Sequence, residues 1–182
     1  MPLTRLVSTA IDRVTPQRAA IVKQIADYAG TDLVCYRAVH PPELAARQQA
    51  MWQPLLDWAA QRYDAPLEVT AGVIPIAQPP LSLRAFAAAV GEQDDLTLAA
   101  LHLLTGACGS LLIALALIEG RLDAAEAYAI SQLDESFQIA AWGEDEEQAQ
   151  RRRALAEDIA AADRFLSLLR ARRGGHYLAS SR

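Results

Sequence analysis

Apolar residues recur at helical spacing through most of the chain. Leu3, Leu6, Val7, Ala10, Ile11 and Val14 follow an i, i+3, i+4, i+7 pattern, which predicts an amphipathic first helix. Thr15 and Pro16 then offer a cap and a first helical residue. A second helix is expected from there, with Ile21, Ile25 and Tyr28 on its buried stripe and Gly30 as its stop. Two short segments break the helical period. "DLVCYRAV" and "PLEVTAGVIPI" are rich in β-branched residues and bounded by turn formers, so each is expected to be a strand, the second ended by Pro75. Between them "PPELAARQQAMWQPLLDWAAQRYDA" is helical, and Pro54 must kink that helix or start a new one.

Farther along, Ser82 is a candidate cap for a short helix ending near Val90. Asp94 or Asp95 then opens the stretch through "LTGACGSLLIALALIEG". Apolar residues surround that stretch on all sides, so it predicts one central buried helix. Gly106, Gly109 and Ser110 within it are expected to allow close approach of another backbone. Asp123 and Glu126 form a capping-box relative, followed by a stripe of Ile130, Leu133, Phe137 and Ala141. A last helix is expected from about 144 to 172, with Leu155, Ile159, Ala162, Leu166 and Leu169 facing inward. The fold class is therefore mainly α, a multi-helix orthogonal bundle with a small two-stranded β element. Residues 1–172 form a single helical domain and 173–182 a flexible C-terminal tail.

Composition narrows the function. The chain has 182 residues, 52% of them hydrophobic, enough for one sizeable core. A net charge of −5 disfavours nucleic acid as the main partner. Lysine occurs once, at Lys23, among many arginines, which together with the alanine content points to a GC-rich bacterial genome. The N-terminus has no secretory pattern, and the longest apolar run is too short to span a bilayer. No stable membrane insertion is expected, and the location is the bacterial cytoplasm. Cys35 and Cys108 are distant and outside any CxxC, so buried reduced thiols are expected.

Candidate chemistry is sparse. His40, His102 and His176 show no ligand spacing, so no metal is expected, and His102 is expected to be a core histidine. "GACGS" is neither a nucleophile elbow nor a phosphate loop. The acid pairs Asp94-Asp95 and Asp134-Glu135 are neighbours on a helix and point about 100° apart, so they cannot face each other across a substrate. In "WGEDEEQAQRRR", Gly143 ends one helix and Glu144, Asp145, Glu146 and Glu147 occupy the start of the next, where the macrodipole favours acids. Glu147 and Arg151 are spaced for an i, i+4 ion pair. Trp142 at that corner is expected to plug the edge of the core, its indole N–H seeking an acceptor.

Several segments together carry a resemblance: "MPLTRLVSTAIDRV", "VCYRA", "WQPLLDWAAQRYDAPLEVTAGVIPIAQP", "LTGACGSLLIALAL", "LDAAEAYAISQLDESFQIAAWGEDEE" and "RRALAEDIAAADRFLSLL". The sequence resembles the assembly chaperones of the F1 part of ATP synthase, the type that holds the free α subunit (F1 complex assembly factor 2 type). The resemblance covers nearly the whole chain. It implies a non-enzymatic protein without cofactor, whose partner is the F1-ATPase α subunit. It also implies the helical C-terminal domain of an α+β family. In that family "MPLTRL" follows a mostly β domain, so the chain is expected to be a fragment, a late gene start or a shortened form. An apolar patch on the first helix, larger than a few hundred Å², is then expected, with homodimerisation through it as one outcome. The partner-binding face is expected at Trp142 as anchor, with Glu144, Asp145, Glu146 and Glu147 as an acidic face. Asp134, Glu135 and Gln138 adjoin it. A helical dimerisation or regulatory domain is the alternative.

Overall fold

A computed structural model describes the backbone of residues 2–179 and the side chains of residues 3–172. Among the described residues nine α-helices run in the order α1 (Pro2–Thr9), α2 (Arg18–Asp27), α3 (Pro42–Tyr63), α4 (Pro80–Gly91), α5 (Asp95–Cys108), α6 (Leu111–Ile118), α7 (Ala124–Ser131), α8 (Leu133–Trp142) and α9 (Glu146–Ala179). Two strands, β1 (Tyr36–Arg37) and β2 (Thr70–Ala71), pair in parallel with Tyr36 opposite Thr70. The fold is mainly α, as the periodicity predicts. The segment expected as a tail continues as α9 to Ala179, and 180–182 lie outside the described residues.

The expected central helix is two helices. Gly109 takes φ +63, which ends α5, and the Ser110 hydroxyl accepts from the Ile113 N–H to cap α6. No neighbour lies within 4 Å of a Cβ placed on Gly109, so this glycine serves dihedral freedom rather than close approach. Asp32, fully buried, reinforces the corner: its Oδ2 accepts from the Leu112 N–H at 3.1 Å and its Oδ1 from the Val34 N–H at 3.2 Å. Leu111 to Leu117 are all fully buried, because α6 is enclosed by α3, α5, α7 and α9. An element wrapped on every side needs no polar face, which is why its sequence shows no stripe.

Other boundaries move for local reasons. Thr15 does not cap α2. The chain passes from α1 into a π-helical turn, Ala10–Val14, and the Thr15 hydroxyl donates to Asp95 at 2.6 Å. Ser82 lies inside α4, where its buried hydroxyl donates to the Pro66 carbonyl at 2.6 Å. Asp94, rather than Asp95, caps α5 by accepting from the Thr97 N–H. Pro54 sits within a continuous α3. Within "DLVCYRAV" Leu33–Cys35 form a 3-10 turn, preceded by another at Tyr28–Thr31, and two residues are left for β1. The Asp123–Glu126 capping box forms as its spacing predicts.

Among the described residues two groups of exposed apolar side chains bear on the expected patch. On the first helical segment, Val7 and Ile11 are 39% and 63% exposed. The more exposed group runs from just after β2 into the first turn of α4, where Val73, Ile74 and Leu81 are 93%, 76% and 73% exposed. The sequence pointed only to the first of these.

Candidate functional site

The corner between α8 and α9 is built from the segment that sequence patterning singled out. Helix α7 stops at Ser131, and Gln132 breaks the helical dihedrals before α8 begins. The expected single helix through 124–142 is therefore bent. Gly143, with φ +83, ends α8, and its N–H donates to the Ile139 carbonyl at 2.8 Å. Asp145 then caps α9, its carboxylate accepting from the Gln148 N–H at 2.7 Å.

Asp134, Gln138 and Trp142 follow at i, i+4 and i+8, so they share one stripe of α8. Trp142 is 88% exposed. It does not plug the core edge, because Gly143 turns the chain immediately after it and carries the ring beyond the bundle. Gln138 is also exposed, and Glu135 accepts from the Gln148 amide at 3.2 Å. Asp134 turns inward instead. It accepts from Gln48 Nε2 at 2.7 Å, while Gln48 Oε1 accepts from the Ala38 N–H. Buried Gln48 therefore ties α3, the end of β1 and α8 together.

The acidic run is largely neutralised by its own chain. Glu147 meets Arg151 at 3.0 Å, the predicted i, i+4 pair. Glu144 meets Arg152 at 3.3 Å and Glu146 meets Arg153 at 2.8 Å. Exposed pairs of this kind contribute little to stability. Arg152 differs. It is half-buried and also donates to the Tyr128 hydroxyl at 3.0 Å and the Ser136 hydroxyl at 2.9 Å. One guanidinium thus joins α7, α8, the corner loop and α9, using the five fixed donors that distinguish Arg from Lys.

Sequence reasoning missed Arg152, Gln48 and Arg37. Arg37 is buried, stacks over the Trp52 ring at 5.3 Å and donates to the Val34 carbonyl. Burial lowers its pKa, while Cys35 and Asp134 act in the opposite direction. A strand arginine carries no sequence mark that it points inward. His102 is half-buried with its pKa lowered, first by burial and then by Arg13. Both thiols are buried and pushed up to about 12 by burial, hence inert. Among the described residues no group of His, Cys, Asp and Glu is placed to hold a metal, and no helix is long and apolar enough to cross a membrane.

The sequence model of the family described as ATP12 chaperone protein matches residues 1–60, which run from α1 into α3. The solved structure of Atp12 from Paracoccus denitrificans superposes with a TM-score of 0.90 at 44% identity, covering 92% of this chain and 72% of that one. The chain belongs to the ATP12 chaperone family. A point mutant of P. denitrificans Atp12p matches as well, with 43% identity, a TM-score of 0.90 and the same coverage. A structure from Agrobacterium tumefaciens is 42% identical, with a TM-score of 0.86, over 93% of this chain and 63% of that one. The family match by sequence lies in α1 to α3, whereas the ATP12-type structural match extends over nearly the whole fold.

Proposed function

We propose that this member of the ATP12 chaperone family binds the unassembled F1-ATPase α subunit and shields its interface until F1 is built. Free subunits of an assembly expose apolar interface and are prone to aggregate, so a holding protein needs an apolar anchor with a polar surround. The observation that carries this reading is Trp142, an 88% exposed tryptophan held out on the α8–α9 corner. Tryptophan is the residue type most often found dominating interface energetics. Gln138 extends the anchor along α8. Glu135 and Glu144 to Glu147 form its rim, where pairing with Arg151 to Arg153 makes the rim mixed in charge rather than purely acidic. Asp134 supports the stripe from within. No reaction and no cofactor enter this function, and it is carried out in the bacterial cytoplasm.

The test is co-purification with separately expressed F1 α and β subunits. Selective capture of α, lost in Trp142→Ala with an unchanged circular dichroism spectrum, is the expected result. Capture of β alone overturns the assignment. Capture of α that survives Trp142→Ala removes this corner as the anchor.

A second reading, a helical dimerisation module, has one observation in its favour: the exposed Val7 and Ile11 on the first helical segment. Light scattering that gives a dimer, abolished by Ile11→Lys, would establish it.

A further inference from the structure

Two consecutive residues of α3 hold α8, and they do so in different ways. Gln48 is buried, and its amide donates to Asp134 at 2.7 Å. Arg47 is exposed and sets its guanidinium over the Phe137 ring, 5.3 Å from the centroid. Asp134 and Phe137 are three apart on α8 and so are neighbours on its surface. The attraction between a cation and a ring face positions Arg47 without using any of its five N–H donors. Among the described residues no hydrogen bond or ion pair takes up those donors.

The acids of this face are already engaged. Asp134 is held by Gln48, and Glu135 accepts from Gln148. Asp145 caps α9, while Glu144, Glu146 and Glu147 meet Arg152, Arg153 and Arg151. Glu43, four residues before Arg47, is spaced for an i, i+4 pair, yet the two form none, because Arg47 turns to α8 instead. The outer face of α8 beside Arg47 is open, with Gln138, Ala141 and Trp142 all exposed. At about 100° per residue, Phe137, Ala141, Gln138 and Trp142 lie in that order across roughly 140° of the helix surface. Trp142 stands only about 7.5 Å farther along the axis than Phe137. One segment of a partner lying across α8 therefore meets Trp142 at one border and Arg47 at the other.

We propose that Arg47 receives a carboxylate of the client protein, an Asp or Glu side chain on the segment that docks against Gln138, Ala141 and Trp142. A guanidinium offers parallel N–H donors that match the two oxygens of a carboxylate. The same charge repels a lysine or arginine at that position, so Arg47 selects as well as attracts. Phe137 already positions the guanidinium, which lowers the ordering cost of binding. This names the chemistry of the client at the α8–α9 corner, and it rests on the reading that the corner holds a client.

The test measures the affinity of the full chain for unassembled F1 α subunit over a series of salt concentrations. Arg47→Met keeps an apolar cover on Phe137 and removes the charge, and Arg47→Glu reverses the charge. Arg47→Met should bind α about tenfold more weakly, the equivalent of one charge-assisted hydrogen bond. Its affinity should also fall less steeply with salt than that of the wild type. Arg47→Glu should bind more weakly still. Weaker binding by Arg47→Met with an unchanged salt dependence reflects lost packing alone and overturns the proposal. Tighter binding by Arg47→Glu assigns a basic client residue to this position and overturns it too. Capture of α that neither variant weakens overturns it and leaves the client reading standing. Failure of the wild type to capture α sinks the client reading and this proposal with it. A dimer in light scattering that Arg47→Glu abolishes assigns the carboxylate to a second copy and overturns the proposal. Should Arg47→Glu misfold, Arg47→Met and the salt series decide.

Discussion

The indole Nε1 of Trp52, in the middle of α3, donates to the carbonyl of Ile130 at 3.0 Å. Ile130 lies in the last turn of α7, where the break at Gln132 frees carbonyls from helical partners. Trp52 is fully buried, so no water can take its place at that carbonyl. Trp52→Phe keeps most of the packing and removes the donor. A loss of about 1–3 kcal/mol in unfolding free energy is expected, the usual cost of orphaning a buried acceptor. Urea denaturation measures it, and a loss below that range would mean that the α7–α8 break is satisfied another way.

Arg152 is the side chain that assembles the corner from four parts. Arg152→Gln keeps a polar side chain but cannot reach Tyr128, Ser136 and Glu144 together. A destabilisation of about 1–2 kcal/mol is expected, because these bonds are partly buried rather than exposed. Amide exchange should speed up in α8 and the first turn of α9, with α5 and α6 unaffected.

The three tryptophans occupy different environments. Trp52 is fully buried, Trp58 is half-buried edge-on to Tyr63, and Trp142 is exposed. Iodide should therefore quench one solvent-like component of the emission, and Trp142→Phe should remove that component alone. The same substitution should change stability by no more than about 0.5 kcal/mol, as for other exposed sites. Binding of the α subunit should make the component inaccessible to iodide.

Burial raises the Asp32 carboxyl to about 6 from 3.8, against the opposing hydrogen bonds from Ser110, Leu112 and Val34. The folded state then holds this proton more tightly than the unfolded state. Stability from this group is fullest below pH 3.8, falls as pH rises to about 6, and is constant above that. Asp32→Asn removes the titration and replaces one acceptor by a donor facing an N–H. The stability gap between wild type and Asp32→Asn should narrow across that window in urea unfolding at a series of pH values. A gap that widens with pH would show the hydrogen bonds to outweigh burial.

Some of the α8–α9 corner was legible in advance. Gly143 as a stop, acids at the start of a helix and the Glu147–Arg151 pair all depend on residues within a turn of one another, where spacing fixes the geometry. The direction of Asp134 was not legible. It forms a stripe with Gln138 and Trp142, yet it bonds Gln48 from another helix, 86 residues away in sequence. Trp142 pointed towards the core on composition and towards solvent in the fold, because side-chain type states a preference while neighbours decide access.

The sequence by itself determined that the chain is helical, which face of α9 turns inward, and where the Asp123–Glu126 box opens a helix. Local hydrogen bonds and hydrophobic periodicity suffice for these. Only the tertiary structure decided that the apolar run breaks at Gly109, because Asp32 and Leu33 from another segment secure the break. It also decided that Arg152 joins four elements. Long-range contacts satisfy polar groups that local sequence leaves open, and no spacing along the chain encodes which distant residue will do so.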